Sequence, residues 1–146
     1  MATIAAACAT VALTCAAQAS ASNGHAAKLA SPVIHESFTP LPCSGSPAKR
    51  STLQQEGCAE HQILRSDKQI NALNRQIFGA LHSNSARRDL VAGHQAWLIY
   101  RRRYCLSASD VFQGGTEAGV VDAECTATVN TQHISNLRTV LANLPA

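Results

Sequence analysis

The chain lacks most of the signatures that would make it an enzyme, a metalloprotein or a membrane-spanning protein. No run of residues has the ~20 strongly apolar side chains that a spanning helix needs, so no transmembrane segment is expected. Six cysteines and six histidines are present, yet none forms a Cys-x-x-Cys, His-x-x-x-His or His-x-His pair. His61, His82, His94 and His133 therefore lack the spacing of a metal site, and no metal is expected. There is no Gly-x-Ser-x-Gly elbow and no phosphate loop, and Gly114 and Gly115 read as a turn. No Ser-His-Asp order is readable, and Asp67 has no second carboxylate patterned to share glycosidase chemistry with it. These absences leave no catalytic residue and no cofactor to name; the reading is that the protein is not an enzyme. A net charge of +3 is too small to argue for a nucleic-acid partner.

Residues 1–21 carry no charge and are dominated by alanine, with Ile4, Val11 and Leu13 among them. Ala17-Gln18-Ala19 and Ala19-Ser20-Ala21 place small residues where a signal peptidase reads them. The segment has the pattern of a secretory signal peptide, although no Lys or Arg precedes the apolar run. A mature protein starting near Ser20 or Ser22, in the periplasm or secreted, is the expectation. A lipid anchor on Cys15 is disfavoured, because Ala12-Leu13-Thr14 is a poor lipidation signal.

Cys8 and Cys15 would leave with that signal. Cys43, Cys58, Cys105 and Cys125 remain, an even number in a small exported domain, which reads as a disulfide framework. Four cysteines allow three pairings, and their spacing does not choose rigorously among them.

Residues 22–42 hold small residues with Pro32, Pro40 and Pro42 and no sustained periodicity, and read as a flexible linker. Ordered structure is expected from Cys43, giving one domain over residues 43–146. Ile63, Ile70 and Ile77 recur every seven residues, with Leu73 and Ala80 at the alternate heptad position, and predict a helix from about Thr52 to Leu81. Ser85 is a candidate N-cap for a second helix, from about Ala86 to Tyr104. On it Leu90, His94, Trp97, Leu98, Arg101 and Cys105 share one face. A glycine-bearing loop from Ser107 to Gly119 should follow, then a third helix from about Val120 to Leu144. The fold class is all-α, a small antiparallel bundle of about three helices stapled by two disulfides.

Three ordered segments carry a resemblance. Glu56-Gly57-Cys58 leads to Ser66-Asp67-Lys68-Gln69-Ile70-Asn71. Gln95-Ala96-Trp97-Leu98-Ile99-Tyr100-Arg101 is followed by Cys105, and Gly114-Gly115-Thr116 by Cys125, Ile134 and Leu137. In order and spacing, from Cys43 to about Leu141, the chain resembles the LprI-like family, the lysozyme inhibitor LprI N-terminal domain. It departs from that pattern at Asn74, His94 and His133, positions expected to face the bundle. The resemblance implies an exported bacterial protein that inhibits lysozyme by protein–protein binding. The alternative is a structural or stress-related envelope protein with no lysozyme target.

Asp67 and Arg101 are expected to form a buried or half-buried pair between the first two helices, since a lone carboxylate facing a bundle needs a partner. Trp97 and Tyr100 are assigned to the core, and Arg102 and Arg103 to the surface. The cysteines are expected to pair with their sequence neighbours, Cys43 with Cys58 and Cys105 with Cys125. No Lys or Arg lies between Tyr104 and Leu137, a stretch that holds Asp110, Glu117, Asp122 and Glu124. These acids are the candidate surface for a basic partner such as lysozyme, presented on a projecting loop.

Overall fold

The computed structural model describes residues 29–36 and 38–145. The signal-peptide reading of residues 1–21, with Cys8 and Cys15, lies outside the described residues.

Three helices make the body: α1 over Thr52–Ala80, α2 over Asn84–Ser109 and α3 over Thr116–Ala142. Each begins where the sequence satisfies the free N–H groups of a first turn or lets the backbone enter extended. Ser51 and Gln54 form a reciprocal capping box at the start of α1. Ser83, rather than Ser85, caps α2, its hydroxyl accepting from the Ala86 N–H at 3.0 Å. Gly115 leads into α3. The expected long loop from Ser107 to Gly119 shrinks to a short 3₁₀ turn, Asp110–Phe112, and the reversal after it. Gln113 takes a left-handed φ of 50° there, beside Gly114 at 78°.

The contacts define the topology. Ile63 clusters with Ala123 and Ala127, and Asn130 bonds to Ser66 and Asp67, so α1 and α3 run in the same direction. Asn74 meets His94 and Asp67 meets Arg101, so α2 runs opposite to both. The closest helix pair is α1 with α3, where Ala59, Ser66, Ala123 and Ala127 keep the interface narrow. One core cluster joins Ile70, Ile77, Ile134 and Leu137, with Trp97, Leu90 and Leu98 packed on it from α2. A second joins Ala59, Ile63, Ala123 and Ala127, with Phe38 packed on it. No described helix is long and apolar enough to cross a membrane.

Both disulfides pair sequence neighbours, Cys43–Cys58 and Cys105–Cys125. The first ties the segment before α1 to its second turn. The second staples α2 to α3.

Two readings of the sequence need correction. The linker must be narrowed, because part of residues 22–42 packs on the bundle. Ile34 is 7% exposed and joins the main core cluster. Its N–H donates to Asn71 Oδ1 at 2.8 Å, and its carbonyl accepts from Asn71 Nδ2 at 3.0 Å. Phe38 and Leu41 then lie against α1 in a strap without regular secondary structure. At Gly57 a Cβ would lie 2.8 Å from the Leu41 carbonyl oxygen, so the strap fits there only over glycine. Proline-rich composition hid the strap, since an irregular segment anchored at scattered apolar residues, Ile34 and Phe38, has no periodicity. The second correction is Tyr100, which is 53% exposed and stacks on Tyr104 rather than joining the core. It lies one residue, about 100° of helix, from Arg101 on the inward line.

Candidate functional site

Arg101 sits at the centre of the molecule. α2 carries it inward between His94 and Cys105, and it is 9% exposed. Its Nη1 donates to Asp67 Oδ1 at 3.1 Å and to Asn130 Oδ1 at 2.9 Å. Its Nη2 donates to Glu36 Oε1 at 2.6 Å. Asn130 Nδ2 in turn donates to Ser66 Oγ and Asp67 Oδ1, each at 2.8 Å, and Ser66 Oγ donates to the Ile63 carbonyl. One guanidinium thus gathers α1, α3 and the strap. Its carbon also lies 5.2 Å from the centre of the Trp97 ring.

Below it lies a second polar layer. Trp97 stacks on His133 with centroids 3.8 Å apart, and Asn74 Nδ2 lies 3.1 Å from His94 Nδ1. His94 Nε2, His133 Nε2, Asn74 Oδ1 and Asp67 Oδ2 have no hydrogen-bond partner among the described residues. Asn74, His94 and His133, the departures from the family pattern, all face the bundle. Burial pushes His133 down to about 4, with the neighbouring His94 and Arg101 adding to it. His94 is lowered by burial and by Arg101. Burial pushes the Asp67 carboxyl up to about 6, against the pull of Arg101. Among the described residues no group of histidine, cysteine and carboxylate side chains is placed to hold a metal ion.

This network is scaffold. Beside it opens a groove of about 540 Å³, bounded by the strap and all three helices. Glu36 and Phe38 line it from the strap, Glu56, Glu60 and Ile63 from α1, and Asp122 and Ala123 from α3. Leu98, Arg101, Arg102 and Leu106 close it from α2.

The acids expected to form one surface are separated. Asp110 opens the 3₁₀ turn and Glu117 lies in the first turn of α3; both are exposed. Asp122 is half-buried and faces the groove. Glu124, two residues on and so about 200° around the helix, lines a different groove with Arg50 and Gln62. No projecting loop carries them. The carboxylates that join Asp122 are Glu36, Glu56 and Glu60, which reading the sequence alone did not select. Glu56 and Glu60 had a signal, being four apart and therefore on one face of a helix. Glu36 had none, because only the path of the strap brings it to Arg101.

A family model described as lysozyme inhibitor LprI matches residues 43–137. No curated protein and no solved structure matches the chain.

Proposed function

Because the chain belongs to the lysozyme inhibitor LprI family, we propose that it is an exported inhibitor that binds lysozyme as one protein binds another, without chemistry of its own. The observation that carries this reading is the extent of the family match, which spans both disulfides, Arg101 and the helical walls of the groove, while Glu36 and Phe38 of the strap precede it. Two disulfides suit an oxidising compartment, the periplasm or the exterior, where lysozyme acts on the cell wall. Asp67, the carboxyl raised furthest, is held by Arg101 and Asn130 in the scaffold, so its titration reports burial rather than acid–base work.

The test is turbidity clearing of a cell-wall suspension by several lysozyme types, with and without the oxidised protein. Dose-dependent slowing of at least one type is expected. Full clearing of every type at saturating protein would leave the alternative, an envelope interaction protein with another partner.

A further inference from the structure

The groove holds more negative charge than the scaffold uses. Glu36 shares the single charge of Arg101 with Asp67, and among the described residues no cation lies within ion-pair distance of Glu56, Glu60 or Asp122. Glu56 and Glu60 sit one turn apart on α1, and Asp122 lines the same groove from α3. Glu56 is set tightly into the helix contact. A Cβ on Gly119 would fall 2.6 Å from Glu56 Oε1, so the glycine makes the space its carboxylate occupies. Burial raises the Glu60 carboxyl, with Glu56 adding to it, and burial raises Asp122 despite Arg101. Partly buried carboxylates without partners work against the empty fold, a mark of groups kept for a ligand. Around them stand Phe38, Ile63 and Ala123, with the exposed Arg102 on the α2 wall, among the described residues one free cation against three unpaired carboxylates. An occupant must be cationic at its tip and aliphatic along its stem.

The rest of the molecule sharpens the point. At a net charge of +3 the chain as a whole does not attract a basic protein. Recognition of one must be local, at a site of inverted charge.

The geometry points to this groove as a recognition site for a lysine or arginine side chain projecting from the protein partner. That the partner is lysozyme rests on the function proposed above; the groove's preference for a cationic side chain does not.

The decisive variant is Glu60→Gln/Asp122→Asn, which removes two charges and preserves shape. Binding to a basic lysozyme is measured by calorimetry, and binding to a capped hexalysine peptide by amide chemical-shift changes. Both are run at about 50 mM and about 300 mM salt, on either side of the point where screening becomes strong. Wild-type protein and the surface control Asp89→Asn should bind both probes. The double variant should lose about tenfold at low salt and less at high salt. Its melting temperature should equal or exceed that of the wild type, which separates lost recognition from lost folding. Gly119→Ala, which pushes the Glu56 carboxylate out of place, should weaken binding in the same direction. Equal affinity of wild type and double variant for both probes overturns the groove while leaving lysozyme inhibition standing. Failure of the wild type to bind lysozyme, with hexalysine shifts centred on Glu60 and Asp122, supports the groove and removes lysozyme as its partner. No binding of either probe by the wild type overturns the groove.

Discussion

Arg101 holds two carboxylates with one positive charge, and the surplus is why its neighbourhood is sensitive. Truncating it to alanine strands Asp67 and Glu36 together. Loss of one partner from a buried pair costs about 3–5 kcal/mol. Glu36 is the more exposed of the two carboxylates and can turn to water, so Asp67 bears most of that loss. Asp67→Asn is milder, because an amide oxygen still accepts from Arg101 Nη1. Chemical denaturation of Arg101→Ala, Asp67→Asn and the double variant should show strong non-additivity. Wild-type stability of Arg101→Ala would mean that the pair contributes nothing.

The buried ionisable groups also set opposing pH trends. His133 is neutral in the fold, with its pKa moved from 6.5 to about 4. Between those values the unfolded chain binds more protons at this site, so the contribution is full above 6.5 and is lost as pH falls. Asp67 moves the other way, from 3.8 to about 6, so the folded state binds more protons between those values. Its contribution is full below 3.8 and lost as pH rises through about 6. The two effects oppose each other across the overlap. Stability measured by urea unfolding should therefore vary little from about pH 6 to pH 4 in the wild type. In Asp67→Asn, which removes the compensating carboxyl, it should fall more steeply on acidification. Parallel profiles for the two proteins would count against the assignment.

At the scale of elements, one side chain of α1 fixes the backbone of the strap at its upper end. Asn71 pairs with both the N–H and the carbonyl of Ile34, in the manner of a neighbouring strand. Asn71→Leu leaves those backbone groups without partners and should cost about 1–3 kcal/mol. Hydrogen exchange gives the specific signature, with the Ile34 amide exchanging much faster in the variant while amides within α1 and α3 keep their protection. Unchanged Ile34 protection would show that the strap is held elsewhere. The boundaries of α2 carry a related lesson. Ser83 and Ser85 are equally good caps by residue type. α1 ends at Ala80, and Arg87 reaches back to donate to the Phe78 carbonyl, fixing the turn so that Ser83 takes the cap.

For the molecule as a whole, two disulfides reinforce a small core. The bond Cys105–Cys125 closes a separation of 20 residues and joins α2 to α3, while Cys43–Cys58 closes 15 and anchors the lower end of the strap. Each is expected to contribute about 2–4 kcal/mol, mainly by restricting the unfolded chain. Paired Cys→Ser variants should show the losses in thermal unfolding. Loss of Cys43–Cys58 should in addition loosen the strap over the groove and weaken partner binding, because Glu36 and Phe38 are held from that end. A Cys43→Ser/Cys58→Ser protein with wild-type affinity would remove the strap from the binding face.

The helices were legible because their inward-facing residues recur at helical spacing: Ile63, Ile70 and Ile77 on α1, and Trp97, Arg101 and Cys105 on α2. Local disulfide pairing was legible as the expectation for cysteines near in sequence, and the family through three ordered motifs. Periodicity reports which face of a helix turns inward, a property of each element alone. It does not report what comes from other elements to meet that face. Ile34 and Glu36 reach the core and Arg101 only through the path of an aperiodic strap; Asp122 parts from Glu124 because two residues of helix are about 200° apart, but which of them faces the groove is decided by how α3 packs. Asn130 joins Ser66, Asp67 and Arg101 across all three helices. The groove, built from side chains far apart along the chain, exists only once the helices have packed.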